Sequence, residues 1–285
     1  MLITKTKFVA TAVAAVALGA LTACSGAPTP AAPSEPASSA PASSAPASSA
    51  APAANLELIE AGVLNACADV PYPPFEFEDA SAPTGYSGFD VEVLGAIATK
   101  LGLTLKVQDV DFDALQSGTV LVAGQCDVGA SAITITDDRK ANIDFADAYY
   151  DSLQSLLVKT DSGISNLAGT AGKNIGVQTG TTGKDYTATN KPKDATMTEF
   201  PSDGELWPAL QAGQIDAILQ DQPVNHEHEK ADANYKIVET YQTNEQYGFA
   251  FAKGKVPNLL AAVNEQLKAM RADGTYDTIY KKYFG

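Results

Sequence analysis

"GFDVEVLGAIATKLGLTLKVQDV", residues 88–110, carries two periodicities back to back. Val91, Leu94, Ile97, Ala98 and Leu101 recur at helical spacing, and Gly102 ends the pattern. From Leu103 the run alternates apolar and polar residues, as a half-buried strand does. Upstream, "VLNACADV" (63–70) reads as a strand closed by Pro71, and downstream "CDVGASAITI" (126–135) reads as another, opening into "TDDR". Strands separated by a helix imply parallel pairing with helices on both faces, an α/β fold.

A faint repeat extends this organisation. "LVAGQCDVGAS" (121–131) parallels "LQAGQIDAILQ" (210–220): a helix end, a Gly-Gln turn, an aspartate and an apolar strand. Two such units about ninety residues apart predict two lobes of similar build, each with its own core. The first copy leads to Arg139 and the second runs directly into Asp221.

The N-terminal segment is of another kind. Lys5 and Lys7 precede an uncharged apolar run, Phe8–Leu21, too short to span a bilayer as a helix but fitting an export signal. It ends in Leu21-Thr22-Ala23-Cys24, which resembles the lipobox of bacterial lipoproteins. Residues 1–23 are thus expected to be a signal peptide and Cys24 the lipidated residue. Of residues 25–54, 27 are Ala, Ser or Pro, including three copies of "PASSA". With almost nothing apolar to bury, 24–54 are expected to form a tether, reaching roughly 90 Å if extended.

Removal of Lys5 and Lys7 leaves 17 cationic against 34 anionic side chains, a net charge of −17. That argues against a nucleic-acid partner, which requires a basic footprint. Once Cys24 carries lipid, Cys67 and Cys126 remain as a pair in an oxidising setting, either a disulfide or two buried thiols. "GTTG" (180–183) lacks the Lys-Ser/Thr ending of a phosphate loop. His226 and His228 in "NHEHEK" have no second ligand pair for zinc and are expected in an exposed polar turn. Trp207 is expected in the core.

In open parallel sheets ligands bind beyond the carboxyl ends of the strands. The residues just past each apolar run are Asp69 and Tyr72; Ser131, Thr134 and Arg139; Gln178, Thr179 and Gly180–Thr182; and Asp221. This set offers a fixed cation, two carboxylates, small hydroxyls and an aromatic face. An α-amino acid needs such a set: a guanidinium fork for its carboxylate, an anion for its ammonium, and a ring against its side chain. The chain has seventeen lysines but only two arginines, Arg139 and Arg271. Only a guanidinium makes two parallel hydrogen bonds in one plane, so the arginine of "SAITITDDR" (131–139), beside Asp137 and Asp138, reads either as a surface ion pair or as the fork for a carboxylate.

"YPPFEF" (72–77), "GFDVEVLGAIATKLG" (88–102), "ITITDDRKANIDFADAYY" (133–150), "IGVQTGTTG" (175–183), "AILQD" (217–221) and "MRADGTYDTIYKKYFG" (270–285), in that order, resemble the family 3 solute-binding proteins of bacterial ABC importers. The resemblance implies a two-lobed periplasmic-binding-protein-like type II fold with parallel-dominated sheets. It implies lobes at 55–157 with 252–285 and at 158–251, crossings near 155–160 and 248–253, and closure around the ligand. It implies that Arg139, Thr134 and Thr182 receive the ligand carboxylate, and Asp221 and Ser131 the ammonium. Tyr72 and Phe112 sandwich the side chain, with Asp69 and Gln178 near its tip. It also places Cys67 and Cys126 on neighbouring strands, which favours a disulfide. The segment 112–127 is two residues longer than the family's usual spacing, and Ala132 stands where a small polar residue is frequent.

The function implied is capture of a basic or neutral polar amino acid, without catalysis or cofactor, by a lipid-anchored monomer on the outer face of the cell membrane, for delivery to an ABC permease. The alternatives are a cyclohexadienyl-dehydratase-like enzyme on the same scaffold, for which Asp69 is the available acid–base group, and an amino-acid sensor domain.

Overall fold

The computed structural model describes residues 55–285; the expected signal peptide, Cys24 and the tether lie outside the described residues. In chain order, β1 (Val63–Ala68) leads through the hairpin β2 (Phe77–Glu78) and β3 (Tyr86–Ser87) to α1 (Phe89–Lys100). Then come β4 (Thr104–Asp109), α2 (Phe112–Gln116), α3 (Thr119–Val122), β5 (Val128–Gly129), α4 (Asp137–Lys140) and β6 (Ile143–Phe145). The central part is β7 (Tyr150–Lys159), β8 (Asn174–Gln178), α5 (Thr182–Asn190), β9 (Thr196–Phe200), α6 (Asp203–Gln211), β10 (Ala217–Asp221), α7 (Gln222–Ala231) and β11 (Tyr235–Tyr247). β12 (Ala250–Ala252), α8 (Pro257–Asp273) and α9 (Thr275–Phe284) close the chain.

Two five-stranded sheets result, ordered β4-β1-β5-β12-β6 and β11-β7-β10-β8-β9. Each is mixed. β1 pairs in parallel with β4 and β5, and β8 with β9 and β10, as strand–helix alternation predicts. β12 and β7 enter antiparallel because they carry the chain from one sheet to the other. Each sheet is covered on both faces: Leu64, Leu94, Phe251 and Val263 pack on one side of the first, and Leu115, Val120, Ile133 and Ile143 on the other. The second divides its core between Leu156, Val177 and Leu219 and, opposite, Leu157, Leu206 and Ile218.

The internal repeat is a structural repeat. Gly124 and Gly213 both take left-handed backbone, φ 70 and 72, and donate to Leu121 and Leu210 carbonyls, both at 3.1 Å. The following aspartates then act alike: Asp127 accepts from the Asn65 N–H and Asp216 from the Asn174 N–H, each at 2.8 Å. Each aspartate therefore ties the start of a new strand to its parallel neighbour.

The chain leaves the first sheet after Phe145 and enters the second at Tyr150, then returns between Tyr247 and Ala250. The first crossing is therefore earlier than the expected 155–160. "SLLV" belongs to β7, which pairs with β10 and β11, and Leu156, Leu157 and Val158 are fully buried there. Cys67 and Cys126 form a disulfide with Cα atoms 5.8 Å apart, joining β1 to the turn before β5. His228 is not in an exposed turn: it lies buried on α7, stacked on Trp207 at 4.3 Å and bonded to Asp203 at 2.9 Å. The Trp207 ring packs against the second core.

Candidate functional site

One cleft between the two sheets gathers Asp69, Tyr72, Phe112, Ser131, Thr134, Arg139, Gln178, Thr182 and Asp221, together with Ala132 and Thr181. All nine residues that the resemblance assigns to the ligand therefore meet, whereas Thr179 and Gly180, which also follow β8, do not line the cleft. β1 ends at Asp69, the loop after β5 supplies Ser131 and Thr134, and α4 supplies Arg139; β8 ends at Gln178, α5 begins at Thr182, and β10 ends at Asp221.

Arg139 is buried, and Asp137 turns outward to pair with Lys140 at 3.3 Å. No ion pair among the described residues includes Arg139. Its Nη1 donates to the Thr134 carbonyl at 2.8 Å, its Nη2 to the Gly180 carbonyl at 2.9 Å, and its Nε to Gln116 Oε1 at 3.2 Å. The guanidinium lies over the Phe112 ring, 5.3 Å from its centre. Three of five N–H donors are thus occupied by neutral groups. Burial lowers its proton affinity from the usual arginine value, and the charges of Asp221 and Glu245 oppose that shift. The longer 112–127 segment does not displace Phe112: Gly118, at φ 82 and close against Ile143, breaks it into α2 and α3.

Opposite stands Asp221, which accepts from the Gln154 amide and, at 2.5 Å, from the Tyr247 hydroxyl. Burial, then the charge of Glu245, pushes its pKa up to about 7. Asp69 accepts from Gln178 Nε2 at 2.5 Å, and burial pushes it up to about 7 as well. The Ser131 hydroxyl donates to Glu76 at 2.5 Å while accepting from the Asp69 N–H at 3.1 Å.

Thr134 and Thr182 do not leave their hydroxyls free for a ligand. Both donate to one oxygen of Glu245, at 2.9 and 2.8 Å, and Gln154 donates to the same carboxylate at 3.2 Å. Glu245 and Gln154, with Tyr247, form a floor that the sequence reading missed. They come from β7 and β11, the antiparallel strands next to the crossings, whereas strand–helix alternation points only to the ends of parallel strands. A signal was present: Glu245 shares the parity of Tyr247 and alternates with Asn244 and Gln246, which puts a glutamate beside an aromatic on the inward face of the strand end.

Two similar lobes with a polar cleft between them define the class of two-lobed extracellular binding proteins. The chain belongs to the bacterial extracellular solute-binding proteins, family 3, whose profile matches residues 64–285. It is 34% identical over 199 residues to the ABC transporter glutamine-binding protein GlnH of Bacillus subtilis (strain 168), covering 69% of this chain and 72% of that one. Among solved structures, an ancestral arginine-binding protein bound to arginine superposes with a TM-score of 0.71 at 36% identity, over 79% of this chain and 99% of the other. The ancestral amino acid-binding protein AncCDT-1, a precursor of cyclohexadienyl dehydratase, gives 0.71 at 34% identity, over 79% of this chain and 96% of its own length.

Proposed function

We propose that the chain captures a polar amino acid, basic or neutral, outside the cell and hands it to an ABC permease, held at the membrane by lipid on Cys24. The observation that carries this reading is Arg139: a buried guanidinium that, among the described residues, has two uncommitted N–H donors and no anion within ion-pair distance, with Asp221 facing it from the other sheet. An α-carboxylate satisfies the first and an α-ammonium the second, so one zwitterion bridges both lobes. Thr134 and Thr182 support the carboxylate through their backbone N–H groups, since Glu245 holds their hydroxyls. Tyr72 and Phe112 flank the side chain, and Asp69 with Gln178 meets its tip. Three carboxylates, Asp69, Asp221 and Glu245, stand around one guanidinium, which disfavours acidic ligands.

A thermal-shift screen against the twenty amino acids tests the reading: a ligand at a hundred times its dissociation constant adds about 2.7 kcal/mol of stability. No shift with any of them rejects it. Asp69, raised to about 7, is the one cleft acid facing the variable end, and the likeness to AncCDT-1 makes turnover worth assaying. Binding without turnover of prephenate-like acids is the expected result.

A further inference from the structure

Behind the cleft lie two carboxyl groups that do not line it. Glu76, in the turn before β2, and Asp90, in the first turn of α1, have no exposed surface. The backbone ties their segments together, where Asp90 N–H donates to the Phe75 carbonyl at 3.0 Å and Phe89 N–H to the Pro74 carbonyl at 2.9 Å. They support adjacent residues of the cleft loop. Glu76 Oε1 accepts from Ser131 Oγ at 2.5 Å. Asp90 Oδ2 accepts from Ala132 N–H at 2.9 Å and from the Tyr149 hydroxyl at 2.6 Å. Ala132 itself sits in left-handed backbone, φ 46, where only a firm anchor keeps an alanine. Each carboxyl group has one oxygen left over: Glu76 Oε2 and Asp90 Oδ1 are buried without a partner.

Two ionised carboxylates cannot sit together in such a place, and a buried oxygen without a partner is costly. We propose that Glu76 and Asp90 share one proton between these two oxygens, and that this pair positions Ser131 for the ligand ammonium. One proton satisfies both orphans. Glu76 Oε1 then remains an acceptor and fixes the Ser131 hydroxyl hydrogen toward the interior. Because Ser131 Oγ also takes the Asp69 N–H, its remaining lone pair faces the cleft, the polarity an ammonium requires. This second step rests on the amino-acid reading; the shared proton does not. Burial, and then Asp90, raises Glu76 well above the usual carboxylate range, and burial raises Asp90 to about 7. The other charged and titratable groups acting on the pair, Asp69 and Asp221 from the cleft and Tyr149 from the start of the crossing, are anionic or neutral, so none offers a counter-cation in place of the proton.

Amide substitutions test the count of protons. In Glu76→Gln the amide keeps an acceptor for Ser131 and donates to Asp90; in Asp90→Asn the amide keeps an acceptor for Ala132 and donates to Glu76. Each single variant reproduces the protonated pair, so unfolding midpoints should stay close to wild type and affinities for L-arginine and L-glutamine within threefold of it. The double variant turns NH2 against NH2. It should lose more stability than the singles combined, and if it folds, at least tenfold in affinity, about 1.4 kcal/mol. Infrared spectra at about pH 8, above the range where Asp69 and Asp221 hold protons, should show a protonated-carboxyl band that Glu76→Gln removes. An additive double variant, or no such band, overturns the shared proton. Strong non-additivity in stability, with affinity in the folded double variant unchanged, overturns the positioning of Ser131. If neither amino acid binds wild type, the affinity arm is read with whichever of the twenty amino acids raises the unfolding midpoint; if none does, the amino-acid reading is refuted and the stability and infrared arms still decide the pair.

Discussion

Arg139→Lys keeps the charge and removes the fork. The guanidinium spans two carbonyls from different lobes, Thr134 on one nitrogen and Gly180 on another, with Gln116 on the third, and still has two N–H groups for a ligand. A lysine offers three donors from a single nitrogen and cannot reach these carbonyls and hold a bidentate carboxylate at once. It also loses the flat stacking over Phe112. Truncating one member of a buried charge pair costs about 2–5 kcal/mol, roughly 30-fold to several thousand-fold in affinity. Calorimetry should show that loss for every accepted amino acid alike, because the α-carboxylate is common to all, while circular dichroism shows an intact fold. Arg139→Lys binding within threefold of wild type refutes the reasoning and places the ligand carboxylate elsewhere.

Tyr72→Ala and Asp69→Asn should reorder the preference among ligands, since they face the variable side chain; competition between L-arginine and L-glutamine reads this directly, and an unchanged ranking contradicts it. Asp69, Asp90 and Asp221 hold their protons more tightly folded than unfolded, near 7 against an ordinary 3.8, so their stabilising contribution is complete below about pH 4 and lost as pH rises through 7. The ligand-free protein should therefore gain stability from these groups at pH 5 relative to pH 8, whereas ligand affinity should fall at pH 5, because a protonated Asp221 cannot pair with an ammonium; melting and titration at the two pH values check both signs. Cys67→Ser opens a loop of 59 residues and should cost about 3–4 kcal/mol in chemical unfolding with little effect on affinity. Glu245→Gln should leave the Thr134 and Thr182 hydroxyls with an acceptor and change affinity for neutral amino acids less than for cationic ones, as parallel titrations would show.

The parallel half of the fold was legible because its signals are local. The helix over 88–102 and the strand after it differ from α1 and β4 by one or two residues, and the repeated Gly-Gln-x-Asp turn marks the same device in both lobes. The crossings were less legible. "SLLV" is an apolar run in β7, paired with β10 and β11, and no local pattern separates such a strand from a connecting segment. Likewise β5 has only two residues, although ten apolar-rich residues preceded "TDDR", because Ala132 turns the chain left-handed and hands Ser131 and Ala132 to Glu76 and Asp90. Partners 42 and 55 residues away decide that conformation, and a window of ten cannot contain them. The cleft residues were found because strand ends converge, whereas Glu245, Gln154 and His228 acquire their roles from packing partners distant in the chain.

The most direct measurement is a calorimetric titration of the full chain with L-arginine and L-glutamine beside analogues that each lack one α-group: agmatine, without the carboxylate, and the N-acetyl amino acids, without a charged ammonium. Recognition by Arg139 and Asp221 together predicts that at least one parent amino acid binds and that removing either group weakens it by at least about 30-fold, the lower end for breaking a buried charge pair. Agmatine or an N-acetyl amino acid binding as tightly as its parent would contradict the account.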